Sequence, residues 1–188
     1  MVWLMLALIL AAVAPVAVAS KAAPCDAFVR GLPSWMTCEV VERKKRGEIV
    51  MRGRPGWAGQ PVVDRVRVTL KGETNAVTID QGMLAQLVVR GTKGADRITL
   101  GAQAGTITKR LTSRIQLGKD EVKDVFTFTN TTASHGPFNH MQRVVVSEFG
   151  KEDVIYLRNR GKRFGYSDVR SDGGLPGVPV TSLRVEKL

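Results

Sequence analysis

The chain has 188 residues, with 28 lysines and arginines against 17 aspartates and glutamates, a formal charge of +11 at neutral pH. That length suits one continuous hydrophobic core and argues against several domains. A field of this sign repels cations and draws polyanions.

In chain order, the first element is apolar. Every residue from Val2 to Ala14 is hydrophobic, Pro15 breaks the run, and Ala17-x-Ala19 suits cleavage before Ser20. A membrane-spanning helix needs about 20 apolar residues with anchoring flanks, so residues 1–19 read as a secretory signal peptide. Its n-region carries no lysine or arginine, which leaves the amino terminus to supply the positive charge. The expected mature chain is secreted or periplasmic in a bacterium, has no transmembrane segment and keeps the whole charge, because residues 1–19 hold no ionisable side chain.

Residues 20–60 read as an amino-terminal cap. The two cysteines, Cys25 and Cys38, lie close together, and an oxidising compartment predicts a local disulfide between them. Residues 25–32 suit a short helix before Pro33, with Phe28, Trp35 and Met36 as apolar cover. Arg43-Lys44-Lys45-Arg46, flanked by Glu42 and Glu48, reads as a solvated charge run.

From residue 61 to 188 short β-type runs are divided by Gly, Asn, Asp and Lys. Strands are predicted at 62–70, 76–80, 86–90, 96–100, 113–117, 124–129, 141–147, 153–158 and 181–186, with a Gly- and Pro-rich loop at 173–179. Within them an aspartate is followed by apolar residues two and four positions later, at Asp64, Asp96, Asp124 and Asp153. Successive spacings of 32, 28 and 29 predict stacked coils. The expected fold is therefore all-β: a short parallel β-solenoid, β-helix- or β-roll-like, with a disulfide-stapled cap.

Strand alternation turns this pattern into faces. Ile98 and Leu100, Phe126 and Phe128, and Ile155 and Leu157 should point inward. Arg65, Arg67, Arg97, Thr99, Arg114 and Thr127 should point outward and, if the strands stack in parallel, form a ladder of positive charge on one face. The aspartates at the strand mouths need turn N–H groups, arginine or a cation to satisfy them.

The densest local chemistry is RNRGKRFGY at 158–166, where Arg158, Arg160, Lys162 and Arg163 interleave with Phe164 and Tyr166. Arg54 and Trp57 form a smaller version. Cations beside aromatic faces suit acidic polysaccharide, lipopolysaccharide phosphates or, ranked lower, nucleic acid. A solvated flexible loop accounts for the same run equally well. His135 and His140 lack the spacing of a helical zinc pair, and Asn130-Thr131-Thr132 satisfies a glycosylation sequon. Serine-hydrolase, P-loop and dinucleotide signatures are missing, which weakens those enzyme classes.

Residues 91–99, GTKGADRIT, resemble the nonapeptide of the haemolysin-type (RTX) calcium-binding β-roll family through Gly91, Gly94, Asp96 and Ile98. FGKEDVIYL at 149–157 is similar to the phrase that ends such arrays. The resemblance implies coils stacked in parallel and, as a cofactor, calcium held by Asp96, Asp124 and Asp153. The tandem repetition that builds the family's site is missing here: Leu87 and Gly105 stand where flanking aspartates belong.

Three functions remain open. The first is a non-catalytic module that binds an anionic envelope or extracellular polymer through Arg54, Trp57, Arg97, Arg114, Arg158, Arg160, Lys162, Arg163 and Tyr166. The second is a small polysaccharide lyase, in which a basic side chain removes the proton beside a sugar carboxylate. The third is a calcium-dependent structural or adhesive module.

Overall fold

The computed structural model describes residues 25–43, 46–54, 63–80, 84–101, 111–129, 142–158, 161–180 and 182–188. The signal-peptide segment, Trp57, Arg160, both histidines and the sequon lie outside the described residues.

The described chain is all-β. Its strands are β1 (Val29–Arg30), β2 (Met36–Arg43), β3 (Arg46–Gly53), β4 (Val63–Thr69), β5 (Ala76–Asp80), β6 (Leu84–Arg90), β7 (Arg97–Gly101), β8 (Leu111–Gln116), β9 (Val125–Thr129), β10 (Gln142–Phe149), β11 (Val154–Leu157), β12 (Lys162–Phe164) and β13 (Leu183–Lys187). Nine of these match the predicted runs within a few residues. Residues 25–32 differ from expectation: Cys25–Ala27 form a single 3-10 turn and the chain then enters β1. Val29 is drawn into the core against β4, which favours extended backbone over continued helix.

The strands build two sheets. Sheet A has the order β1-β4-β6-β8-β10-β13 and sheet B the order β12-β11-β9-β7-β5-β3-β2. From β3 to β11 consecutive strands alternate between the sheets, so each strand pairs in parallel with the strand two before it. Antiparallel pairs occur at the ends: β1 on β4, the β2–β3 hairpin and the β11–β12 hairpin. Arg43 and Arg46, the ends of the basic run, pair opposite each other where β2 meets β3. Residues 25–53 therefore extend both sheets at one end, and the 60/61 boundary is crossed by the β3–β5 pairing.

Alternation buries one residue in two. In sheet B the rows Ile49–Val77–Ile98–Phe126–Ile155 and Met51–Ile79–Leu100–Phe128–Leu157 stack rung on rung. Sheet A supplies Val66, Leu87, Val144 and Leu183 in one row and Val68, Val89, Ile115, Val146 and Val185 in the next. All of these belong to one hydrophobic cluster. The two sheets thus share a core, and their outward faces look in opposite directions. Each fully buried aliphatic or aromatic side chain contributes about 1.5–3 kcal/mol. Phe164, Val169, Leu175 and Val178 join the same cluster at the far end, so the Gly/Pro-rich loop carries core residues.

At the near end Cys25 and Cys38 form a disulfide, with Cα atoms 6.0 Å apart. It ties the first 3-10 turn to β2. In β10, Glu148 adopts φ 61 where the register shifts, which turns Phe149 into the core. No described helix is long and apolar enough to cross a membrane.

Crossings from sheet A to sheet B are tight. They run through 70–75, 91–96, 117–124 and 150–153, and all are described. Gly91 and Gly118 allow these turns to stack. A Cβ on Gly91 would press into the Leu117 carbonyl and the Asp96 carboxylate; Gly118 holds φ 125, with the Thr92 carbonyl where its Cβ would be.

Candidate functional site

Sheet A presents its outward residues as three rows. With Val66, Val68, Leu87, Val89 and Ile115 committed to the core, Arg65, Arg67, Gln86, Val88, Arg90, Thr112, Arg114 and Gln116 must face out. Register aligns Arg65–Gln86–Thr112, Arg67–Val88–Arg114 and Thr69–Arg90–Gln116. These side chains line an open groove of about 450 Å3 that has no carboxylate among its lining residues. Neighbouring strands lie about 4.8 Å apart, so Arg67 and Arg114 stand about 10 Å apart across Val88.

Two glutamines organise the arginines. Arg65 Nε donates to Gln86 Oε1 at 2.9 Å, and Arg90 Nε donates to Gln116 Oε1 at 3.2 Å. Fixing Nε leaves both terminal nitrogens of each guanidinium as a fork for an oxyanion. Arg65 and Arg67 were expected in the outward ladder, whereas Arg90 was not; its signal was the basic end of QLVVR.

The outward face of sheet B is more mixed. Arg97 lines a groove with Arg46, Glu48, Asn75, Thr78 and Thr99, and Thr78 Oγ1 donates to Glu48 Oε1 at 2.7 Å. Thr78, Thr99, Thr127 and Tyr156 form one row, continued by Arg163. At the far end Thr99, Thr127, Tyr156, Arg158 and Lys162 line another groove, with the Arg163 guanidinium 5.8 Å from the Tyr156 ring centre.

The predicted ligands therefore separate. Arg114 lies on sheet A, whereas Arg97, Lys162 and Arg163 lie on sheet B and Arg158 directly follows its strand β11, so the single ladder expected from the sequence becomes two opposed faces. The reason is topological: strands consecutive in the chain belong to different sheets. Arg54 follows β3, donates its N–H to the Trp35 carbonyl at 2.8 Å and lines none of these grooves. Tyr166 is turned away from the cations of 158–163. Its ring stacks on Phe149 at 6.4 Å, Lys187 Nζ sits 4.4 Å from its centre, and its hydroxyl donates to the Leu188 carbonyl at 3.3 Å. The aromatic partner of Arg163 is Tyr156.

Along the edge of tight crossings runs a carboxylate stack. Asp96, Asp124 and Asp153 each precede a sheet B strand and are almost wholly buried. The Asp96 N–H donates to Asp124 Oδ1 at 2.8 Å, and the Asp124 N–H to Asp153 Oδ1 at 2.9 Å. Asp153 Oδ2 accepts the Gly150 N–H at 2.7 Å, and the Asp96 carboxylate accepts the Thr92 N–H and hydroxyl. Asp64 does not belong to this stack, because it lies in β4 of sheet A. The equivalent position is Asn75, which precedes Ala76, the partner of Arg97. Its Nδ2 donates to the Ala95 carbonyl at 2.6 Å.

Burial governs the charge of this stack. It pushes Asp124 up to about 8, against the Asp96 N–H that favours the anion; the carboxylates of Asp153, Asp96 and Asp120 push the same way as burial. Asp96 is raised by burial, opposed by the Thr92 donors. Asp153 is raised by burial, opposed by the Asp124 and Gly150 N–H groups. Asp120 Oδ2 is buried without a hydrogen-bond partner among the described residues. Among the described residues, no group of three or more His, Cys, Asp and Glu side chains is arranged to hold a metal ion. Calcium takes six to eight oxygens, and several oxygens of this stack already accept backbone donors.

No protein-family model, curated protein or solved structure matches the chain.

Proposed function

We propose that this chain is a short parallel β-solenoid, with two strands per coil, that acts outside the cytoplasm as a non-catalytic binder of an anionic polysaccharide. The carboxylates, sulfates or phosphates of the polymer dock on the outward face of sheet A. One observation carries this reading: Arg65, Arg67, Arg90 and Arg114 share a groove free of carboxylates, and two of them are held by glutamines with their forks open. Guanidinium forks match planar and tetrahedral oxyanions. The alternation of strands between two sheets supports the solenoid, and the disulfide is compatible with an oxidising compartment.

The test is retention of the full chain on immobilised heparin and alginate under a salt gradient. Retention at low salt with release as screening rises is expected. Arg67→Ser/Arg114→Ser should elute at distinctly lower salt with an unchanged melting temperature. No retention of the wild-type chain at low salt sinks the reading.

A calcium-dependent structural module is the second reading, in keeping with the RTX resemblance. It is favoured by Asp120 Oδ2, which is buried with no hydrogen-bond partner among the described residues and whose carboxylate acts on those of Asp96, Asp124 and Asp153. Millimolar calcium should then raise the melting temperature above that in chelator; equal melts remove it.

A further inference from the structure

Resting on the polyanion reading, we infer that one folded molecule carries two independent polyanion-binding faces, back to back, and so cross-links anionic polysaccharide chains.

The first face is the arginine groove of sheet A. The second is built at the opposite surface by Arg158, Lys162 and Arg163 around Tyr156, bordered by Thr99 and Thr127. Its composition differs from the first. An exposed aromatic ring, 37% accessible, offers a platform for a sugar ring, the threonine hydroxyls offer donors and acceptors, and the cations offer charge.

Geometry makes the faces independent. Both sheets contribute to one core cluster, so a chain lying on one face cannot touch the other without passing around the body of the molecule. Packed sheets lie about 10 Å apart, and side chains on both outer surfaces add to that separation. The Debye length is about 8 Å at physiological salt. A polyanion bound to sheet A therefore neutralises little of the field felt at sheet B, and a second chain can dock there. Two sites facing opposite ways cannot readily engage one stiff polymer segment, so the avidity available to them comes from bridging separate segments or chains.

The two faces also differ along the stack. Sheet A's groove spans β4, β6 and β8, in the first half of the molecule, while the Tyr156 groove sits at the β11–β12 end. The bridged chains are thus offset along the stacking direction as well as separated across the core.

The experiment titrates the full chain into soluble heparin while following light scattering, alongside bead retention and size-exclusion of the protein alone. Scattering should rise near charge equivalence, fall in excess heparin and vanish at high salt. Arg67→Ser/Arg114→Ser on one face and Arg158→Ser/Arg163→Ser on the other should each keep bead retention while abolishing scattering. Combining the two pairs should abolish scattering and weaken retention roughly tenfold or more. A wild-type chain that is retained but never scatters overturns the inference, as does either pair that still scatters like wild type. So does one pair abolishing all retention while the other changes nothing. Failure of the wild-type chain to bind at all overturns the polyanion reading instead.

Discussion

Among the described residues, burial shifts the carboxyl of Asp124 furthest from its ordinary value. Its folded-state value, about 8, lies above the unfolded value near 3.8, so the native state holds a proton that the unfolded chain releases. The stability it supports is complete below about pH 4 and is lost as pH rises towards 8. Asn75 fills the same stack position as a neutral amide and donates from Nδ2, which shows that an uncharged donor fits there. Asp124→Asn should therefore raise stability at pH 8 by about 1–2 kcal/mol, the scale of an uncompensated buried polar group, and flatten the dependence between pH 4 and 8. Urea melts in chelator-treated buffer at both pH values measure this; a variant less stable than wild type at pH 8 contradicts it. Asp96 and Asp153 shift in the same direction and add to the slope.

Among the elements, the tight crossings bear the stacking. Gly91 and Gly94 both belong to the RTX-like phrase, yet they face different surroundings. A Cβ on Gly91 meets the neighbouring turn's backbone, whereas one on Gly94 meets nothing nearer than the Thr92 hydroxyl at 3.6 Å. Gly91→Ala should cost about 1–3 kcal/mol by overpacking, while Gly94→Ala should change little; denaturant midpoints separate the two. Equal, large losses at both would mean that the loop, not the contact between turns, sets the requirement. The amino-terminal end depends on its staple. Cys25 and Cys38 lie 13 positions apart, and closing a loop of this size stabilises by roughly 3 kcal/mol. Cys25→Ser/Cys38→Ser should lower the melting temperature with β3 to β11 still folded, as followed by hydrogen exchange. The β2–β3 hairpin and β12 were absent from the sequence prediction because their runs mix charged and apolar residues without clean alternation, and pairing against a neighbour selects them.

At the scale of the whole molecule, charge and stability should respond differently to pH. The groove cations of sheet A are all arginines, and no histidine or carboxylate is among the lining residues. Heparin retention at fixed low salt should therefore be constant from pH 5 to 8, while the melting temperature falls over the same interval. Retention that drops between pH 6 and 7 would move the binding to histidine.

The amino-acid sequence by itself determined the β class, most of the strand positions, the inward residues of β7, β9 and β11 and the Cys25–Cys38 pair. All follow from local alternation, turn residues and the arithmetic of two cysteines. It also carried the hint of a stack in Asp96, Asp124 and Asp153, because the positions before successive strands of sheet B repeat at similar spacing. Only the tertiary structure decided which strands share a sheet. That assignment replaced Asp64 with Asn75, parted Arg97 from Arg114, kept Arg114 with Arg65 and Arg67, added Arg90 to them, and gave Arg163 Tyr156 as its partner. The physical reason is that a pleat fixes the face of each residue within its own strand, whereas the neighbour across a rung comes from two strands away, at a distance in sequence set by the crossings.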